Sequence, residues 1–138
     1  MKQLKNQRGL TLIELLAVIV ILAIIAAIAA VAIGNVISNS KDKAALGDAA
    51  NIIAGAKIAY MDGACDEDTE CTELETKGFV EGIKEADGAK VTATNTGGKV
   101  VYTIDWDNIK DENIKNEKYQ VGDNPTEADI LTAMNGKN

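Results

Sequence analysis

The chain has 138 residues, a formal net charge of −7 and a hydrophobic fraction of 46%. It contains no histidine and only two serines, so a Ser/His or Cys/His nucleophilic pair cannot form, and we expect no enzymatic activity. The net negative charge of the chain repels phosphate backbones, which argues against direct binding of nucleic acid.

The first nine residues form a short basic segment. Their three charges are all positive, and none of the 21 acidic residues lies among them. Removing three of the 14 bases leaves 11 against 21 acids, so the chain after Gly9 has a net charge of −10. We therefore expect an acidic, well-solvated exterior for the part of the chain outside any membrane.

An apolar run follows the basic segment. The nineteen residues from Leu15 to Ile33 have no charge and no hydrogen-bonding side chain, which is enough for a helix to cross ~30 Å of hydrocarbon. Glu14 lies at the edge of this run, where a carboxylate is costly and needs a partner. The run is open to three interpretations: a secretory signal cleaved after Ala29 or Ala32, an uncleaved anchor, or a span preceded by a leader that is removed.

The residues before the span carry a specific resemblance. The stretch RGLTLIELL, from Arg8 to Leu16, resembles the class III leader of type IV pilins and their pseudopilin relatives, and the match in pattern extends over residues 8–24. The resemblance implies that a prepilin peptidase cuts after Gly9 and methylates the new amino terminus at Leu10. The family usually has phenylalanine where this chain has Leu10.

A second departure from the family concerns the middle of the helix. Many members have proline at the position of Val31, whereas this chain has Gly34 three residues later. Glycine inside a helix costs about 1 kcal/mol relative to alanine, so Gly34 is a candidate weak point of the helix. The alternative is that Gly34 only marks the exit from the membrane interface.

Glu14 has a candidate partner under this interpretation. After cleavage, the free α-amino group of Leu10 lies four residues before Glu14. The resemblance implies that Glu14 registers each new subunit against its neighbour during assembly; placement among lipid headgroups is the alternative. It also implies four kinds of partner: the prepilin peptidase, an assembly platform protein with its ATPase, the cytoplasmic membrane, and further copies of the chain in an extracellular helical filament.

Helical character is predicted to continue to about Met61. Apolar residues recur at helical spacing, and charged residues surround them. The apolar positions are Leu46, Ala49, Ala50, Ile53, Ala56 and Tyr60, and the surrounding charges are Lys41, Asp42, Lys43, Asp48 and Lys57. We expect the apolar stripe to form part of the core of a small head.

The rest of the chain predicts short elements in a fixed order. Asp62-Gly63 ends the long helix, and a short helix over Thr72–Lys77 stops at Gly78, with Leu74 and Phe79 packed on the long helix. The predicted strands are Lys90–Thr94 and Lys99–Ile104, joined by a turn over 95–98, with a third strand near Tyr119–Val121. Asn124-Pro125 opens a last helix through about Met134, with Pro125 in its first turn.

Two cysteines bracket the acidic sequence DEDTE. In an oxidising compartment Cys65 and Cys71 would form a disulfide worth about 2 kcal/mol, and the alternatives are two free thiols or a metal site. A structural zinc ion is held by four cysteine or histidine ligands, and two cysteines without histidine do not supply them, which disfavours the metal site.

Acidic clusters invite a calcium interpretation. One cluster comprises Asp62, Asp66, Glu67, Asp68 and Glu70, whose spacing is not that of an EF-hand. The other comprises Asp123, Glu127 and Asp129, in a stretch that resembles the C-terminal calcium loop of major pseudopilins. Solvated acidic loops without metal are the favoured interpretation at both places, so we expect no cofactor, and calcium is the alternative.

Together these patterns predict an α+β fold, and the resemblance implies that it is pilin-like: a long N-terminal helix packed on a small antiparallel sheet. The expected organisation is a leader at 1–9, a transmembrane and filament-core helix at 10–34, and an amphipathic helix half with a globular head at 35–138. The function that the resemblance implies is that of a structural subunit of a type IV pilus-like filament for adhesion, motility or surface interaction. The alternatives are a major pseudopilin of a secretion or DNA-uptake apparatus, and a secreted or anchored monomeric binding module.

Overall fold

The computed structural model describes residues 4–66, 70–72, 78–80, 86 and 88–136, with side chains from Gly9 onward. Packing divides the chain into two units, Met1–Ile37 and Ser38–Asn138. The first unit contains only helix among its described residues, and the second contains a small head with its own hydrophobic core.

One long helix, α1 (Leu4–Met61), covers 58 residues. Its end at Met61 confirms the prediction. Gly63 adopts a left-handed φ of 74°, and the backbone N–H of Ala64 donates to the carbonyl of Ala59 at 2.9 Å. Glycine is favoured at such a position because it carries no Cβ.

Three antiparallel strands form one sheet in the order β1 (Glu70–Cys71), β2 (Lys90–Thr96) and β3 (Lys99–Asp105). The β2–β3 hairpin confirms the prediction, but β2 continues through Thr96 and its turn contains only Gly97 and Gly98. Both glycines have positive φ, 63° and 86°, which suits a two-residue turn matched to the twist of the strands.

The prediction of a strand near Tyr119–Val121 is wrong. A 3-10 turn occupies Glu117–Tyr119, and the third strand is β1, on the other side of β2. Local hydrogen bonds explain the difference: the side chain of Asn116 accepts from the backbone of Lys118, and the amide of Gln120 donates to the carbonyls of Asp111 and Ile114. Such bonds hold a backbone in turns instead of a ladder.

The last helix, α2 (Glu127–Asn135), begins later than predicted. Thr126 is its N-cap and forms a capping box with Asp129. Pro125 lies before the helix and not in its first turn; it is buried, and its carbonyl accepts from the backbone N–H of Ile104 at 3.1 Å. That bond to β3 keeps Pro125 outside the helix.

The core of the head lies between the second half of α1, the sheet and α2. The predicted stripe supplies much of it: Leu46, Ala49, Ile53 and Ala56 are fully buried, and Ala50 and Tyr60 are partly buried against the same cluster. The other elements contribute Val91, Ile104, Trp106, Ile109, Ile130 and Ala133. The amphipathic half of α1 is therefore the main support of the head, as predicted.

The short helix predicted over Thr72–Lys77 falls largely outside the described residues, as does Leu74. Phe79 is described and packs, partly buried, against the core. It lies close to α1 at Gly55, where an added Cβ would come within 2.8 Å of the Phe79 carbonyl oxygen.

Candidate functional site at the N-terminus

Gly9, Leu10 and Glu14 all lie within α1 and are exposed. Residues four apart in a helix are neighbours on one face, so the Leu10 backbone and the Glu14 side chain lie one turn from each other. Cleavage after Gly9 would make Leu10 the first residue of the helix. A new positive amino group and the partial positive charge of the helix end would then both attract the Glu14 carboxylate.

The aliphatic side chains after Gly9 are exposed on every side of the helix. The Leu, Ile and Val side chains from Leu10 to Ile37 are each between 50% and 69% exposed. Within the part of the chain that the structure describes, α1 is the one helix long and apolar enough to cross a membrane by length and composition, with a mean hydropathy of 3.3 in its most apolar window. This surface needs lipid or protein to cover it.

A family comparison bears on this segment. Residues 4–30 match the family model described as the prokaryotic N-terminal methylation motif. The chain carries a class III leader of the type IV pilin and pseudopilin class. Such a leader implies processing by a prepilin peptidase, anchoring in the membrane and assembly into filaments. No curated protein and no solved structure matches the chain.

The leader motif covers Gly9, Leu10 and Glu14 but ends before Gly34. In the structure α1 runs through Gly34 without a break, and a Cβ added there would meet no atom within 4 Å. Helix weakening at Gly34 stays a prediction.

The disulfide between Cys65 and Cys71 is present, with 5.5 Å between the two Cα atoms. It joins the segment just after α1 to β1. The sulfur atoms therefore tie the edge of the sheet to the end of the long helix, and no free cysteine remains in the described chain.

The structure does not bring together the calcium candidates that it describes. Glu127 pairs with Lys57, and Asp129 accepts hydrogen bonds from the backbone and hydroxyl of Thr126. Of the first cluster, Glu67 and Asp68 lie outside the described residues. Among the residues that are described, no three carboxylates or thiols converge on a point that could hold a metal ion. Calcium binding stays the less favoured of the two interpretations.

Sequence reasoning missed the role of Asp42. The sequence places it among the surface charges of the helix, yet its side chain is only 5% exposed. Its carboxylate accepts a hydrogen bond from the backbone N–H of Asn116 at 2.9 Å, and the Asn116 side chain donates to Asn39 at 2.6 Å. These bonds fasten the long loop after β3 to α1, and nothing in the local pattern around Asp42 signals them.

A cavity of about 230 Å³ also lies in the head, between the end of β3 and residues 122–125. Its lining includes Asp105, Lys110, Asp123 and Asn124. The hydrogen bond and charge of Asp107 raise the pKa of the Lys110 ammonium, which also lies 3.6 Å from Asp105. Two of these lining residues, Lys110 and Asp105, are therefore already paired within the chain.

Proposed function

We propose that this chain is a structural, non-catalytic subunit of a type IV pilus-like filament that acts in adhesion, motility or surface interaction. The observation that carries the proposal is the class III leader followed, one helical turn into the mature chain, by Glu14 at the border of the apolar run. The subunit waits in the cytoplasmic membrane, loses its leader, and is extracted by a platform protein and its ATPase into an extracellular filament.

The apolar surface of α1 explains why registration is needed. Lipid tails are as apolar as leucine, so exchanging lipid for neighbouring helices changes the free energy little and leaves close packing to drive association. Packing between aliphatic helices only weakly favours one position of a helix along the axis of its neighbour over another. A charged pair in the same low-dielectric surroundings selects it strongly, because either partner left alone is costly.

The free amino group of Leu10 and the Glu14 carboxylate supply that pair between subunits. A carboxylate deep in a membrane helix costs about 3 kcal/mol on insertion scales. Two unit charges 4 Å apart attract each other by about 4 kcal/mol at an effective dielectric constant of 20. Pairing across neighbours therefore recovers an energy of the same size as the cost of drawing one such charge away from water, whereas a charge left without its partner bears that cost in full.

The mass of the mature amino terminus tests the proposal. The full chain is produced together with a prepilin peptidase and assembly machinery, and the products are examined by intact mass spectrometry and electron microscopy. We expect a chain that starts at methylated Leu10 and enters filaments. A start after Ala29 or Ala32, or a processed chain that never forms filaments, would overturn the proposal.

Production without the peptidase is the control and should yield the uncut chain in the membrane.

The length of the fibres distinguishes a pilus subunit from a pseudopilin. Long surface filaments support the pilus, whereas short fibres confined to the envelope indicate a pseudopilin of a secretion or DNA-uptake apparatus.

A further inference from the structure

The cavity between the end of β3 and residues 122–125 has an apolar floor and a polar rim. Its buried apolar lining residues are Ile104, Trp106, Ile109 and Pro125. Its exposed polar lining residues are Asp105, Asp123 and Asn124. Small-molecule sites combine these two kinds of surface. At about 230 Å³ the cavity is smaller than the roughly 300–1,000 Å³ of sites for drug-sized ligands, so it suits a ligand of one ring.

Two polar side chains of the rim are not used within the head. Asp105 lies 3.6 Å from the Lys110 ammonium, as described above. The side chains of Asp123 and Asn124, by contrast, make no hydrogen bond or ion pair with any other residue that the structure describes. The rim therefore offers one carboxylate, which accepts hydrogen bonds, and one amide, which both donates and accepts them.

The wall that carries these two side chains is held at both ends. The backbone N–H of Gly122 donates to the carboxylate of Asp111 at 3.1 Å. The carbonyl of Pro125 accepts from the backbone N–H of Ile104 at 3.1 Å. Between them Asn124 has a left-handed φ of 50°, and the proline that follows restricts its backbone further. Such a conformation persists where the surrounding fold fixes it, so a ligand meets a wall that needs little ordering.

We propose that this cavity binds one pyranose ring of an uncharged sugar. Hydroxyl groups on neighbouring ring carbons both donate and accept, so one donates to the Asp123 carboxylate and the next exchanges hydrogen bonds with the Asn124 amide. The C–H groups of the ring are apolar and contact the floor at Trp106 and Ile109. All lining residues lie between Ile104 and Pro125 and none belongs to α1, so sugar binding goes beyond the filament function and does not depend on assembly.

The charges of the lining disfavour other classes of ligand. Asp105 and Asp123 carry two negative charges against the single positive charge of Lys110, so an anion is repelled. A metal ion lacks ligands, because no three carboxylates converge among the residues that the structure describes. An organic cation would satisfy the Asp123 carboxylate but would leave the amide of Asn124 without an acceptor.

The fluorescence of Trp106, the one tryptophan, tests the site in the full chain because this residue lines the cavity. The chain is kept in a polyoxyethylene detergent, which carries no sugar. It is titrated up to about 50 mM with the methyl glycosides of glucose, galactose, mannose and N-acetylglucosamine. We expect at least one of them to give a saturable change with a Kd of about 1 mM. Inorganic phosphate, choline and calcium, titrated separately, should give none.

Two variants remove the rim groups one at a time. Asp123→Ala removes the carboxylate, and Asn124→Gly removes the amide while glycine keeps the left-handed backbone without strain. We expect each to raise the Kd at least about tenfold. Glu112→Ala, which removes an exposed carboxylate outside the cavity, is the matched control and should leave the Kd unchanged. Thermal unfolding checks that every variant is folded.

The source of the sugar needs a separate measurement. An immobilised glycan that ends in the bound sugar captures the chain if the site accepts the end of a surface glycan. If the site accepts only a free sugar, the glycoside still binds in solution and the immobilised glycan captures nothing.

Several results would overturn the sugar site. They are no saturable response to any of the four glycosides, an unchanged Kd in both rim variants, or a saturable response to phosphate, choline or calcium without one to a glycoside. Each of these leaves the filament function standing. Failure of the chain to form filaments leaves the sugar site standing, because binding is measured on the unassembled chain.

Discussion

Glu14 is the single residue on which the proposed assembly depends most. We expect Glu14→Ala to leave a processed, membrane-held subunit whose filament yield falls at least about tenfold, because the α-amino group of the neighbouring Leu10 loses its partner. Electron microscopy and the amount of sheared filament measure the yield. Glu112→Ala, which removes an exposed carboxylate in the head, is the control and should assemble normally. A normal yield from Glu14→Ala would contradict the registration role.

Two glycines of α1 make a matched pair for testing how closely the head packs. A methyl group at Gly55 would overlap Val80 and the Phe79 carbonyl, whereas at Gly47 the nearest atom is Met134 Cε at 3.9 Å. We expect Gly55→Ala to lower the free energy of unfolding by about 2 kcal/mol, and Gly47→Ala to raise it by up to about 1 kcal/mol through helix propensity.

Denaturation of the full chain in mild detergent measures both changes through Trp106, the one tryptophan, which is 3% exposed. Equal effects of the two substitutions would show that the close approach at Gly55 does not constrain the fold.

At the scale of elements, Lys57 links α1 to α2 and to the sheet. Its ammonium pairs with Glu127 and lies 5.3 Å from the centre of the Tyr102 ring. In a double-mutant cycle with Lys57→Met and Glu127→Gln, we expect a coupling free energy of about 1 kcal/mol that declines with added salt. The more exposed pair Lys90–Glu70, at 3.1 Å, is the control and should give at most about 0.5 kcal/mol. A larger coupling in the control pair would contradict this ranking.

The disulfide joins two other elements, the end of α1 and β1. Reduction should destabilise the head by about 2 kcal/mol, because a closed loop restricts the unfolded chain. The shift of the denaturation midpoint on adding dithiothreitol, followed by Trp106 fluorescence, measures this loss. A variant with both Cys65→Ser and Cys71→Ser should have the lower stability from the outset, and its denaturation midpoint should not change when dithiothreitol is added. An equal shift in both proteins would rule the disulfide out as the cause.

At the scale of the whole molecule, net charge would govern how the proposed filaments interact with each other. The chain after Gly9 has 11 basic and 21 acidic residues, a net charge of −10. Filaments built from such subunits repel each other at low ionic strength, and salt screens that repulsion over a Debye length of ~10 Å at 0.1 M. We therefore expect side-by-side bundling to increase with salt, as light scattering and electron microscopy would record. Bundles that dissolve as salt rises would show that attractive ion pairs dominate instead.

Much of this molecule is predictable from local sequence. The end of α1, the hairpin and the disulfide follow from signals within a few residues: a helical period that stops at Asp62-Gly63, two adjacent glycines between alternating strands, and two cysteines six positions apart. The leader is the most local signal of all, since Gly9, Leu10 and Glu14 lie within six consecutive residues. Each depends on backbone conformation or bonding between near neighbours in the chain.

Only the tertiary structure decided the remaining features. The bond from Asp42 to Asn116 spans 74 positions, the bond that keeps Pro125 out of α2 comes from β3, and the third strand is placed by its pairing with β2, in which Glu70 lies opposite Thr92. The spacing of apolar residues and the identity of turn residues specify local backbone geometry. The burial of a side chain depends instead on which distant segment packs over it, and local sequence does not encode that choice.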